Sequence, residues 1–222
     1  MYRYKNLTIL GTSHIAKQSI MEVKKTINEI KPNIIALELD KDRFLALTSK
    51  KKTKSFRKYK NLSFQSILFN LIGSYIEKKL SKNTGFLPGS EMKTAIKLAR
   101  KQNIEIELID QPIQITLNKL TSQLTRKEKL NLIKEIIFFP FIKNKTEFNL
   151  NKVPSKKIIE KLIKETQEKY PTIHRILIKE RNQYMAKALY KIINTNHDKK
   201  ILAIVGAGHK KDIMGELKSI KN

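Results

Sequence analysis

Apolar residues recur along this chain in two rhythms, and the switches between them mark out its elements. Residues 7–10 form a short apolar run closed by Gly11. Ile15, Ile20, Val23, Ile27 and Ile30 then follow at near-helical spacing, which predicts strand, turn and helix. Pro32 introduces residues 33–39 (NIIALEL), apolar from Ile34 onward except for Glu38, as in a strand buried on both faces of a parallel sheet. The opening therefore reads as a βαβ unit, right-handed by the usual rule. After Asp40 a short helix is expected to carry Arg43 to Leu47. An amphipathic helix is predicted at about 62–80, with Phe64, Ile67, Leu68, Leu71, Ile72 and Tyr75 as a core-facing stripe. Gly89 and Ser90 open a further helix to Gln102, and residues 104–109 (IEIELI) read as a third strand.

From 113 to 193 the pattern predicts helices, among them 130–139, 155–168 and a long one from near Pro171, where proline suits a first helical turn. Residues 201–205 form the last strand, followed by Gly206-Ala207-Gly208-His209 and a helix to 220. The predicted fold class is α/β: a mixed, mainly parallel central sheet flanked by helices, with a helical cap or insertion. Neither a fixed-period repeat nor a linker interrupts it, so residues 1–222 read as a single domain with helical insertions at about 48–88 and 113–195.

Composition narrows the chemistry. Cysteine is absent, which excludes a disulfide framework, a thiol nucleophile and cysteine-ligated zinc, and favours a reducing, cytoplasmic setting. The N-terminus lacks the pattern of a signal peptide. The longest apolar run near the middle of the chain, 136–142 (IIFFPFI), falls far short of the roughly 20 residues that cross a bilayer. A formal charge of +26 raises the question of nucleic acid, but only 7 of the 46 basic residues are arginine, and the lysines lie along nearly the whole chain. A solvated lysine surface is the simpler reading, because base and bidentate phosphate contacts favour arginine. The densest cluster (Lys50, Lys51, Lys52, Lys54, Arg57, Lys58 and Lys60, with Phe56 and Tyr59 interleaved) reads as a solvated loop before a phosphate-binding one.

In open α/β sheets ligands sit beyond the carboxyl ends of the parallel strands. Four segments occupy such places here: Gly11-Thr12-Ser13-His14, Glu38-Leu39-Asp40 with Arg43 a turn later, Asp110, and Gly206-Ala207-Gly208-His209. Two histidines and a carboxylate could bind a divalent metal with an open coordination position and lower the pKa of its water. Without metal, His14 or His209 could act as general base, oriented by Glu38, with Arg43 or Arg181 stabilising an oxyanion. Glu38 stands out, because an acid in an apolar run costs several kcal/mol unless paired or used. Its structural explanation is a buried pair with Arg43 or Arg181. Glu91 is explained equally well by the dipole of the helix it opens, and His174 and His197 read as structural or surface residues. Neither a dinucleotide fingerprint nor a phosphate-binding loop ending in Gly-Lys-Ser/Thr is present.

Six segments in register, GTSHIAKQS (11–19), IIALELDKDRFLAL (34–47), PGSEMKTAI (88–96), LIDQPIQITLNKL (108–120), ERNQYMAKAL (180–189) and VGAGHKKDI (205–213), resemble the TraB/PrgY family along nearly the full chain. That family is similar in turn to Tiki-type metalloproteases, GumN-like proteins and the erythromycin esterase and ChaN-like group. The resemblance makes His14 and His209 the paired histidines, Glu38 and Glu91 the matching acids, and Arg43 and Arg181 the matching arginines. It implies a metal-dependent, peptidase-like hydrolase with His14, Glu91 and His209 on a divalent ion (Mn, Co, Fe or Zn) and Glu38, Arg43 and Arg181 in catalysis. The esterase-like relatives imply metal-free hydrolysis, and PrgY implies either peptide sequestration or peptide degradation. The family's usual acid after the Glu-Arg pair is Asn182 here, which the resemblance places beside Arg181. The expected partner is a peptide substrate or ligand, not nucleic acid, with a second copy of the chain as a further candidate.

Overall fold

The computed structural model describes residues 1–12, 17–49, 89–138 and 156–220. His14, the basic cluster at 50–60, the predicted helix at 62–80 and residues 139–142 of the apolar run lie outside the described residues.

Five strands form one sheet: β1 (Tyr2–Tyr4), β2 (Leu7–Thr12), β3 (Ile34–Leu37), β4 (Glu105–Leu108) and β5 (Ile201–Gly206), in the spatial order β1-β2-β5-β3-β4. Only β1 runs antiparallel to its neighbour; the other pairs are parallel. The described helices are α1 (Lys17–Ile30), α2 (Lys41–Thr48), α3 (Ser90–Lys101), α4 (Ile113–Gln123), α5 (Arg126–Phe138), α6 (Lys156–Lys169), α7 (Pro171–His174), α8 (Glu180–Thr195) and α9 (Lys210–Ser219), with a π-helical segment, Arg175–Lys179, joining α7 to α8.

Strand periodicity divides the core into two layers. Side chains alternate across a pleated strand, so Ile34, Ala36, Ile201, Ala203 and Val205 face one side, where Met185, Ala186, Leu189 and Ile193 of α8 and Ile213 and Leu217 of α9 cover them. Ile35, Leu37, Leu202 and Ile204 face the other side, against Val23 and Ile27 of α1 and Met92, Ala95, Ile96 and Ala99 of α3. Both central strands are therefore buried on both faces, as their unbroken apolar runs require. The covering helices bury residues three and four apart, Val23 and Ile27 on α1 or Ala186 and Leu189 on α8, and so hold a single apolar stripe against the sheet.

The expected α/β architecture is present, with one strand more than the pattern shows. β1 is an edge strand of three residues, too short for an alternation to register; Lys5 (φ 50°) makes the turn, and Asn6 anchors it by donating to the carbonyls of Asn196 (2.6 Å) and Lys199 (2.8 Å). β2 and β3, read as one βαβ unit, are in the same parallel sheet, with β5 between them. The described part of the second insertion is helical throughout. Among the described residues no helix is long and apolar enough to cross a membrane.

One buried acid in that insertion has a wholly structural explanation. Glu128 is 3% exposed. Its Oε2 accepts from the Thr125 backbone N–H (3.1 Å) and hydroxyl (2.9 Å), while the Thr125 oxygen accepts from the Glu128 N–H (3.2 Å), a capping box at the start of α5. Oε1 accepts from the Thr172 N–H (2.8 Å), tying α5 to α7. Burial works against the charge, but the backbone N–H groups of Thr125 and Thr172 outweigh it and hold the carboxyl below its ordinary value. Glu128→Ala is expected to cost about 1–3 kcal/mol at neutral pH, since it strands those donors. Because the folded-state pKa is the lower one, this stabilisation is complete above the ordinary carboxylate range and is lost as pH falls through the folded value. Urea melts of wild type and variant should therefore converge as pH falls below the ordinary carboxylate range; a gap constant with pH would refute the assignment.

Candidate functional site

The site lies at the carboxyl ends of β2, β5 and β3. β2 and β5 are neighbours, with Gly11 opposite Val205 and Thr12 opposite Gly206, so Gly11 and Thr12 end their strand beside the start of the Gly206-Ala207-Gly208-His209 turn. The Ala207 N–H donates to the Thr12 carbonyl (2.8 Å), and the His209 N–H to that of Gly206 (2.9 Å), which closes a tight turn before α9. A Cβ on Gly11 would lie 3.2 Å from Ala207 Cα and 3.1 Å from the Lys210 side chain. The missing side chain thus lets this turn settle on β2. His209 is 7% exposed.

Glu38 follows directly on β3, and the pleat explains its direction. It shares the parity of Ile34 and Ala36, which face α8, so its carboxylate reaches the helix face where Arg181 stands in the first turn of α8. Arg181 Nη2 donates to Glu38 Oε1 at 2.5 Å, and the Gly206 N–H donates to Oε2 at 2.5 Å. The acid that stood out in an apolar run is 4% exposed and paired with Arg181, one of the two partners anticipated for it. Through Gly206 it also fixes the loop that delivers His209.

The second arginine, Arg43, pairs elsewhere among the described residues. Its Nε donates to Asp40 Oδ2 (3.0 Å) and its Nη2 to Asp110 Oδ2. Asp40 caps α2 through the Arg43 N–H (2.8 Å) and accepts from the Ile113 N–H (3.0 Å), joining α2 to the start of α4. Asp110, beyond β4, binds Arg181 through both oxygens: Oδ1 accepts from Nε at 3.1 Å and Oδ2 from Nη2 at 2.6 Å. One cluster therefore holds Glu38, Asp40, Asp110, Arg43 and Arg181. For Arg181 burial is the strongest single influence and opposes the charge, yet the hydrogen bonds to Asp110 and the charges of Glu38 and Asp110 outweigh it and raise its pKa. The guanidinium stays charged.

Arg181 lies two residues beyond the π-helical segment and contacts it. Its Nη1 donates to the Leu177 carbonyl (3.2 Å) within that turn, and Glu180 is held by Lys119 of α4 (2.6 Å) and by Arg175. π-helical turns are rare and recur at functional sites. Nη1 also lies 3.4 Å from His209 Nε2, which is 3.4 Å from Glu38 Oε1. On its other side His209 Nδ1 lies 2.6 Å from Asn182 Oδ1, and Asn182 Nδ2 donates to Asp212 (3.2 Å). Asn182, expected beside Arg181, thus turns to the histidine instead, because consecutive helical residues point about 100° apart.

Of the six residues singled out in the sequence, the described contacts gather Glu38, Arg43, Arg181 and His209 into this network. Glu91 is buried (1% exposed) in the first turn of α3, behind Gly89, whose φ of 83° favours glycine. His14 lies outside the described residues. Among those residues no three histidine, aspartate or glutamate side chains converge to hold a metal. His209 and Glu38 are suitable donor types, but the charged Arg181 guanidinium lies against both, and Gly206 takes the second Glu38 oxygen. As placed, this pair alone does not fit a metal ion. His197 is exposed, and His174 lines a cleft of about 470 Å³ between α9 and the helix leading into α8, with Asn182 and Asp212 also in its wall.

Asp40 and Asp110, which the sequence pointed to by position without assigning a role, and Asn182 complete the network. The signal for Asp40 and Asp110 is their place just after neighbouring parallel strands, β3 and β4. Asn182 has no such marker, as an amide inside a helix is commonplace.

A sequence model of the TraB/PrgY/gumN family matches residues 3–222. The chain is 37% identical over 224 residues to the uncharacterized protein MJ1365 of Methanocaldococcus jannaschii, covering 98% of this chain and 54% of that one. It is 25% identical over 196 residues to the TraB domain-containing proteins of Mus musculus and Homo sapiens, covering 82% of this chain and 51% of each. The chain spans about half the length of these relatives.

Proposed function

The chain belongs to the TraB/PrgY/gumN family, and from that premise we propose that its site hydrolyses a peptide-like carbonyl compound with His209 as general base. The observation supporting this reading is one buried imidazole whose Nε2 lies 3.4 Å from a charged guanidinium and 3.4 Å from a buried carboxylate. In the proposed reaction Nε2 takes a proton from water as the water oxygen bonds to the carbonyl carbon, and the carbonyl π electrons pass to oxygen. Arg181 stabilises that negative charge. Collapse of the tetrahedral species breaks the bond to the leaving nitrogen, which takes its proton from Nε2, so the acid and amine products balance substrate plus water. Glu38 and Asp110 keep Arg181 charged and in place, and Arg43 holds Asp110.

The metal-dependent peptidase implied by the family resemblance, with His14, Glu91 and His209 as ligands, is the second reading. It is supported by the donor types of that set, two imidazoles and a carboxylate. Incubating the purified chain with a peptide library, with and without a strong chelator, separates the readings by mass spectrometry of new termini. New termini that persist under chelation are expected. Termini lost on chelation and restored by Mn, Co, Fe or Zn would favour the metal-dependent form. Peptides retained by the protein but left intact would replace hydrolysis by peptide sequestration.

A further inference from the structure

We infer that Asn182 is a positioning residue that fixes His209 in the tautomer with its proton on Nδ1, and that Asp212 in turn fixes Asn182. A carboxylate only accepts hydrogen bonds, whereas an amide offers one accepting and one donating end. Asp212 stands in the first turn of α9, where an acid is favoured by the helix N-terminus. Its Oδ2 is 3.2 Å from the Asn182 side chain, so the amide must present Nδ2 to it. Rotating the amide by 180° would set oxygen against oxygen. Oδ1 is thereby turned to His209 Nδ1 at 2.6 Å. An oxygen that can only accept requires a proton on Nδ1, and a neutral ring then has its lone pair on Nε2, the atom facing Arg181 and Glu38. Neutral histidine in water prefers the opposite tautomer, so the site imposes this one. Asn182 is 1% exposed, which leaves little water to compete for Nδ1.

The tautomer stands independently of what the site does; its catalytic consequence, a base with its lone pair already aimed, rests on the hydrolase reading. The test is the ring ¹⁵N spectrum of the full chain at a pH where His209 is neutral, assigned by comparison with His209→Ala. Wild type should show a protonated Nδ1 and a bare Nε2. Asn182→Asp should preserve this pattern, since a carboxylate also accepts from Nδ1. Asn182→Leu should move the tautomer ratio roughly tenfold towards Nε2–H, the effect of losing one hydrogen bond, and Asp212→Ala should give a mixture. A wild-type spectrum dominated by Nε2–H overturns the inference, as does an unchanged ratio in Asn182→Leu. Should that variant not fold, an unshifted ratio in Asp212→Ala does the same. The predicted spectrum without peptide hydrolysis would sink the hydrolase reading alone, and hydrolysis with the opposite tautomer would sink this inference alone.

Discussion

Replacing Arg181 with methionine is expected to destabilise the fold by about 3–5 kcal/mol, the usual cost of removing one partner from a buried ion pair. Methionine fills much of the arginine's apolar volume, so lost packing is a minor part of this change. The cost comes from what stays behind. Glu38 and Asp110, each 4% exposed, lose the one cation that both contact, so Glu38 loses its arginine and Asp110 keeps only Arg43 as a cationic partner. Arg43 cannot replace it, being already committed to Asp40 and Asp110. Arg181→Lys should be intermediate, because an ammonium keeps the charge but cannot bridge Asp110 through two nitrogens while reaching Glu38. Arg43→Met should cost less, since that side chain is 35% exposed and solvent screens what remains. Urea unfolding at constant slope measures all three. A loss below about 1 kcal/mol for Arg181→Met would show that water already compensates these charges.

The network also shows what the sequence could and could not reveal. Periodicity located the central strands, because β3 and β5 are buried on both faces and a strand in that position has to be apolar at every residue. It could not place β5 between β2 and β3, since strand order depends on pairings between residues far apart in the chain, such as Ile34 with Ile201 and Leu7 with Ile201. That order is what sets Gly11 and Thr12 beside Val205 and Gly206. Glu38 was conspicuous as an acid in an apolar run, yet the choice between its arginines was decided by the pleat, which turns it towards α8. Arg43, only five residues from Glu38, is held by the cap of its own helix and by Asp110. The role of Asn182 was illegible for a different reason: it depends on which neighbouring group can donate, a property of the assembled site and not of the helix in which the residue sits.

His209→Ala is expected to lower kcat by about 10²–10⁴-fold, the range in which a positioned general base contributes, while leaving KM nearly unchanged. The split matters. A base acts on water as the transition state forms, so its removal should not weaken ground-state binding. Arg181→Met should lower kcat as well, and its 3.4 Å approach to Nε2 means that the two effects should not add, as each variant disables the same centre. Stability distinguishes them. His209 is at the end of a turn with its ring against Asn182, so its truncation leaves one amide oxygen unpaired and costs on the order of 1 kcal/mol, well below the loss expected for Arg181. An activity loss accompanied by a small change in folding free energy would place His209 in the chemistry. If kcat stayed within about threefold of wild type while the urea midpoint fell sharply, the base assignment would fail, and the histidine would be a structural partner of Asn182.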